Sequence, residues 1–156
     1  MVVVAILAVA AVAAAPSIQQ MLDRVAVDIT ARAFVAAINS ARGEALGRHR
    51  RVAIIPVDGA QWSSGWVTFI DDNLNGRHDA GERLLARYSP LPRGVNIETQ
   101  WGLYRDPYIA FAENGFVRIE QRGWVSGTLW ITGHGRRICV VINAYGRPRV
   151  EMECQR

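Results

Sequence analysis

Two stretches of this 156-residue chain carry residue types whose spacing could do chemistry. The first runs Asp71-Asp72-Asn73-Leu74-Asn75-Gly76-Arg77-His78-Asp79-Ala80-Gly81-Glu82. It fits the twelve-position calcium loop, with Asp71, Asn73, Asn75 and Glu82 as oxygen ligands, Gly76 at the sharp turn and Asp79 acting through water. Against a metal, the loop follows a strand-like segment instead of a helix, two ligand positions are neutral Asn, and His78 stands at the eighth position. The same residues make a polar hairpin loop rich in turn formers, and no metal is assigned.

The second stretch is Gly146-Arg147-Pro148-Arg149. Asn143-Ala144-Tyr145-Gly146 is a turn cluster, so strands ending at Asn143 and starting at Arg147 should form a hairpin with Cys139 and Cys154 roughly opposite. Arg147 and Arg149 are two apart, so both guanidiniums leave one face about 6.7 Å apart, with Pro148 stiffening the backbone between them. Two parallel guanidinium forks suit successive phosphates. Arg136 and Arg137 open the preceding strand and would extend the patch; the sequence leaves open on which side they lie.

Other chemistries fall away. All eighteen basic residues are Arg, so Schiff-base lysines and the phosphate-loop lysine are excluded. Neither a Gly-x-Ser-x-Gly nor a His-Glu-x-x-His motif occurs, and His134 between two glycines reads as a loop residue. Trp62, Trp66, Trp101, Trp124 and Trp130 read as core or subunit interface before base-stacking platforms. The two cysteines, Cys139 and Cys154, read as one disulfide of an exported chain, stabilising by about 3 kcal/mol in the chain-entropy picture. With only scattered His49, His78 and His134 to help, they do not make a zinc site. No catalytic constellation and no cofactor are expected.

The net charge of +4 is localised. Residues 1–114 hold eleven Arg against eleven acidic residues, whereas 115–156 hold seven Arg against three Glu. A basic C-terminal quarter favours an anionic partner such as nucleic acid over a uniformly basic surface.

The elements that position these residues divide the chain at about 1–15, 16–47 and 48–156. Residues 1–15 carry no charged or polar side chain and span about 22 Å as a helix, short of the ~30 Å hydrocarbon core. A signal peptide would also show such a run, but no basic residue precedes it. After Pro16, where Ser17 to Gln20 offers a cap, Leu22, Val25, Ile29 and Ala33 recur at helical steps to about Leu46. Gly47 is expected to end the helix beside Arg48, Arg50 and Arg51. From Val52 the period becomes strand-like, over 52–57, 65–70, 83–88, 95–99, 108–111, 116–120, 127–132, 137–143 and 147–152. Short strands with short turns imply antiparallel sheets packed on the amphipathic half of the helix, an α+β fold.

The apolar run ending Ala15-Pro16-Ser17, followed by an amphipathic helix through Ser40-Ala-Arg-Gly-Glu-Ala-Leu46, resembles the stem of a type IV pilin-like protein. The head resembles the GspH/FimT family of minor pseudopilins, through the stretch from Gly65-Trp-Val-Thr-Phe-Ile70 to Gly81-Glu82 and the tail from Cys139 to Cys154. The resemblance implies a membrane-anchored subunit of a pilus or type II secretion filament, with its stem in the bacterial inner membrane, its head in the periplasm, and other pilin subunits as partners. Gly146-Arg-Pro-Arg149 matches the Gly-Arg-x-Arg tail of FimT-type pilins that bind DNA in natural transformation. That match implies Arg147 and Arg149 as contacts to double-stranded DNA and Gly146 as the turn presenting them. The rival implication is a secretion pseudopilin with protein partners alone; a secreted enzyme cut near Ala15 is a third. Family members begin with a basic leader ending in Gly and then Phe-Thr-Leu-Ile-Glu-Leu, just ahead of the segment that is Met1-Val2-Val3 here. Met1 is therefore expected to be an internal methionine, the missing part carrying the prepilin cleavage and N-methylation sites.

Overall fold

A computed structural model describes the backbone of residues 2–101, 107–119 and 123–151, with side chains from Val25 onward except those of Ile119 and Trp124. A single helix, α1, spans Val2–Arg48. It carries on through Pro16, with no new start at the Ser17 to Gln20 cap. A proline in a helix interior costs about 3 kcal/mol, and the alanines of 13–15 together with the good helix formers that follow carry the ladder past it.

The helix also ends differently from expectation. Gly47 stays helical, and His49 takes the left-handed position with φ 52°. Arg50 N–H donates to the Ala45 carbonyl at 3.4 Å, the six-to-one bond of a Schellman cap, so Gly47 falls two residues too early to serve.

Val27, Ala31, Phe34, Ile38, Ala41 and Ala45 form the buried face of α1. This corrects the stripe read from the sequence: Val25 is 41% and Ile29 55% exposed. Both stripes have helical spacing, and the one with Phe34 at its centre wins because that ring meets Trp62 and Trp66 edge-on, at 5.1 and 4.7 Å between centroids. Leu22 lies outside the described side chains. Among the described residues no helical segment is long and apolar enough to cross a membrane.

The strands are β1 (Val52–Pro56), β2 (Trp66–Ile70), β3 (Leu84–Tyr88), β4 (Asn96–Trp101), β5 (Ile109–Phe111), β6 (Arg118–Ile119), β7 (Gly123–Trp124), β8 (Gly127–Gly133), β9 (Arg136–Ile142) and β10 (Pro148–Glu151). The segments read from the sequence are all found, with ends shifted by one or two residues. A one-turn 3-10 helix at Trp62–Ser64 and the two-residue β7 carried no period long enough to read. Among the described residues all pairings are antiparallel, in sheets ordered β3-β2-β1-β5 and β10-β9-β8-β4 and a small β6-β7 ribbon.

One core holds the helix and both large sheets together. Val52 and Ile54 from β1, Ile97 from β4, Leu129 and Ile131 from β8, and Ile138, Val140 and Ile142 from β9 surround the buried stripe of α1. The architecture is α+β, a long helix packed on antiparallel sheets.

Candidate functional site

The alternation of β9 decides where the arginines go. Ile138, Val140 and Ile142 face the core, so Arg137, Cys139 and Val141 point to the outer face of the sheet. Residues directly opposite in an antiparallel pair share a face, and Arg149 pairs with Val141 while Glu151 pairs with Cys139. Arg149 therefore leaves the outer face, and Arg147, two residues earlier, lies on the same side beside Asn143.

Arg136 is on the other side. Its guanidinium bonds Asp28 of α1 at 2.8 Å, and it lines the cleft between helix and β10 with Ile138 and Val150. The structure thus brings Arg137, Arg147 and Arg149 to one face and removes Arg136 from the patch the sequence sketched. The spacing could have told that two adjacent arginines on a strand part to opposite faces; which of them stays outside needed the burial of Ile138.

The turn that presents Arg147 is held from below. Gly146 has φ 75°, and a Cβ there would fall 2.4 Å from the Gly115 carbonyl and 3.1 Å from Cδ of Arg42, so only glycine fits. Arg42 of α1 donates from Nε to the carbonyls of Gly115 and Tyr145, both at 3.1 Å. Asn143 closes the turn: its Oδ1 accepts from Arg147 N–H at 3.0 Å, and its carbonyl accepts from Gly146 N–H at 2.8 Å. Asn143 belongs to the turn cluster read from the sequence, whereas Arg42 was not singled out, because a helix residue some hundred positions away gives no local signal.

The charges on the outer face are mixed. Arg149, 76% exposed at its side chain, bonds the Glu151 carboxylate, and Glu98 pairs across from Trp130 on the same face. An exposed pair of this kind is worth about 0–1 kcal/mol and is readily exchanged for another anion. Cys139 is fully buried although it points to this face. Its cross-strand neighbour is Glu151; Cys154, the other half of the expected bridge, lies outside the described residues.

The loop at 71–82 spends its oxygens on its own backbone. The Asp71 carboxylate accepts from the N–H groups of Asn75 and Gly76 at 3.1 and 3.2 Å, and Glu82 accepts from those of Asp72 and Asp79, both at 3.0 Å. Asp79 accepts from the side-chain amides of Asn73 and Asn75, which hold its carboxyl below the usual range. A cation is already present: the Arg51 guanidinium, 6% exposed, stands 3.4 Å from the fully buried Asp71 and bonds Tyr108, whose hydroxyl donates to Asp71 at 3.3 Å. Burial pushes the Asp71 carboxyl up, and Arg51 opposes that rise. Burial likewise pushes the Tyr108 phenol up to about 12, keeping it protonated as the donor. Among the described residues no cluster of His, Cys, Asp and Glu has the geometry of a metal site.

Trp62, Trp66 and Trp101 are buried core residues and Trp130 is half-buried. Trp66 stacks on Tyr88 at 3.9 Å instead of presenting a free face. His134 occupies a left-handed turn position between β8 and β9 and is engaged with the Arg93 carbonyl at 3.0 Å.

Comparisons with known proteins fit this geometry. The family described as type II transport protein GspH matches residues 30–146, ending just before Arg147. PilA1, a pilin-like protein of Thermus thermophilus, is 30% identical over 135 residues, covering 83% of this chain and 80% of that protein. The type IV minor pilin FimU of Pseudomonas aeruginosa superposes with a TM-score of 0.60 at 18% identity, over 84% of this chain and 90% of FimU. The minor pseudopilin EpsH from the type 2 secretion system of Vibrio cholerae superposes with a TM-score of 0.55 at 16% identity, over 80% of this chain and 95% of EpsH. A continuous helix feeding two antiparallel sheets, and a family match over three-quarters of the sequence, make this chain a member of the GspH family, a minor pilin or pseudopilin.

Proposed function

We propose that the chain is a filament subunit whose stem, 1–15, anchors it in the inner membrane before assembly, and whose periplasmic head binds double-stranded DNA without sequence preference for uptake in natural transformation. The observation that carries the DNA reading is the shared outer face of Arg137, Arg147 and Arg149, presented by a turn pinned to the helix through Arg42. Guanidiniums in a row on a rigid sheet can take successive phosphates bidentately, and such contacts hold no base information. The likeness to PilA1 and FimU supports the filament part. A Cys139–Cys154 disulfide would tie the tail beyond β10 to the same sheet.

The test is binding of the full chain, in detergent, to duplexes of unrelated sequence at several salt concentrations. Arg147→Ala with Arg149→Ala should weaken binding equally on every sequence and reduce the salt slope by about 2. Unchanged affinity overturns the DNA reading.

A specific observation favours a second reading, the secretion pseudopilin with protein partners alone. Glu151 and Glu98 share the outer face with the arginines, and mixed charge suits a protein interface better than a polyanion. Absence of DNA binding even at low salt would select it.

A further inference from the structure

The turn that presents Arg147 also presents an aromatic ring. Tyr145 is 60% exposed, the most open of the large apolar side chains among the described residues. An exposed ring on a loose loop would mean little, but this one stands on a fixed backbone. The Ala144 carbonyl accepts from Val117 N–H at 3.0 Å, the Tyr145 carbonyl accepts from Arg42 Nε at 3.1 Å, and Gly146 N–H donates to the Asn143 carbonyl at 2.8 Å. Three successive residues of the turn are thereby tied down. The side chain is set as well: its ring meets that of Phe116 edge to face, at 5.0 Å between centroids and 84° between planes.

We propose that Tyr145 is a stacking platform for an unpaired base, so that the ligand of this face is DNA carrying a single-stranded segment, such as an overhanging duplex end. This rests on the DNA reading of Arg147 and Arg149 and narrows it. Tyr145 precedes those arginines by two and four residues, so ring and guanidiniums follow one another from the turn into β10. Guanidiniums hold phosphates whether the bases are paired or not, whereas a ring needs the face of a base. Inside a duplex those faces are closed against their neighbours, and only a base out of its pair is free to cover the ring. A ring already fixed by Phe116 and by the turn loses little freedom on binding, where a flexible side chain would lose affinity. Every base has a π face, so stacking keeps the lack of sequence preference that phosphate contacts impose. The two guanidiniums that continue from the ring favour a ligand bearing both phosphates and π faces over a protein contact.

The experiment measures binding of the full chain, in detergent, to a single strand of mixed sequence, to a duplex with a single-stranded overhang, and to a long blunt duplex in which end bases are few. Tyr145→Leu keeps an apolar side chain and removes the π face. It should weaken binding to the single strand and the overhang about ten-fold and to the long duplex less than about two-fold, with the salt slope unchanged on all three. Tyr145→Phe keeps the ring and should retain the parent's affinity. The exposure of Tyr145 leaves the core untouched by either substitution. Unchanged affinity of Tyr145→Leu for the single strand, or an equal loss on all three ligands, would overturn the platform while the DNA reading stands. Failure of the parent to bind any of the three at low salt would overturn both.

Discussion

Arg42 of the helix donates from Nε to the main-chain carbonyl of Tyr145 at 3.1 Å, which fastens the β9–β10 turn to α1. The same nitrogen serves the Gly115 carbonyl, so one side chain joins the helix, the loop after β5 and the hairpin. Arg42→Met keeps the aliphatic stem and removes the donor, and should cost about 1–2 kcal/mol in urea unfolding because the Gly115 carbonyl is partly buried. Gly146→Ala should cost at least about 1 kcal/mol, since its Cβ meets that same carbonyl at a positive φ. Under the DNA reading both variants also weaken DNA binding without touching Arg147 or Arg149. Unfolding curves that superpose on the parent's would show that water replaces these bonds at no cost.

The two neighbouring arginines of β9 should behave differently. Under the DNA reading, Arg137→Ala is expected to flatten the salt dependence of binding by about one slope unit, whereas Arg136→Ala, which removes a partner of Asp28 on the helix side, should change affinity less than about two-fold. Glu151→Gln releases Arg149 from its intrastrand carboxylate and should tighten DNA binding. A looser complex with Glu151→Gln would indicate that Glu151 positions Arg149, contrary to a simple competition between carboxylate and phosphate.

These distinctions bear on what the sequence could tell. Strand positions were legible because period-two alternation between Gly, Pro and Asn punctuation is local information, and β8 and β9 fall where it put them. The helix face was misread because Val25 and Ile29 are as apolar as Val27 and Phe34, and only the tryptophans of a distant segment choose between them. The Arg147 and Arg149 face followed from spacing alone. Its anchor at Arg42, the diversion of Arg136 to Asp28, and the capture of the acidic loop by Arg51 are contacts between elements far apart in sequence, where no period or motif points.

Arg51, Asp71 and Tyr108 form a buried unit whose parts should not be separable. Arg51→Met leaves a fully buried carboxylate without its cation and should cost about 3–5 kcal/mol in chemical unfolding. Tyr108→Phe removes one donor and should cost about 1 kcal/mol. Adding Asp71→Asn to Arg51→Met removes the stranded charge and should recover part of the loss, a non-additivity that a double-mutant cycle reads directly. Strictly additive costs would mean that water, and not Arg51, compensates Asp71.

Acid should loosen the loops before it unfolds the core. Asp58 accepts from the Gln61 and Ala60 N–H groups, which hold its carboxyl below the ordinary 3.8, and Asp79 is held below it by Asn73 and Asn75. A depressed folded pKa contributes stability present above the unfolded value and lost as pH falls through the folded one, so both contributions fade below about pH 4. Asp71, raised by burial, acts in the opposite sense: its charged form is disfavoured in the fold, and protonation relieves that cost. Amide exchange at Ala60 and Gln61, corrected for intrinsic rates, should therefore accelerate between pH 5 and 3, and Asp58→Asn should abolish the acid dependence. Protection at these amides that stays constant over that range would contradict the assigned bonds.

The exposed stripe on α1 gives the sharpest separation between folding and assembly. Val25 and Ile29 are one turn apart on the side of the helix turned away from both sheets, and Ile29 is 55% exposed. Single exposed apolar residues are ordinary, but these two continue the direction of the apolar stem, the surface that a neighbouring subunit's helix would cover in a filament. Ile29→Ser removes apolar area without touching the core, so the unfolding free energy should move by no more than about 0.5 kcal/mol. Under the DNA reading, binding by the unassembled chain should be unaffected, because the stripe and the β10 face are on opposite sides of the second sheet. Incorporation into filaments sheared from cells should fall several-fold, with the subunit remaining unassembled. Incorporation at the parent's level would mean that this face of the helix meets solvent in the assembled filament as well, and that the stem alone supplies the contacts between subunits.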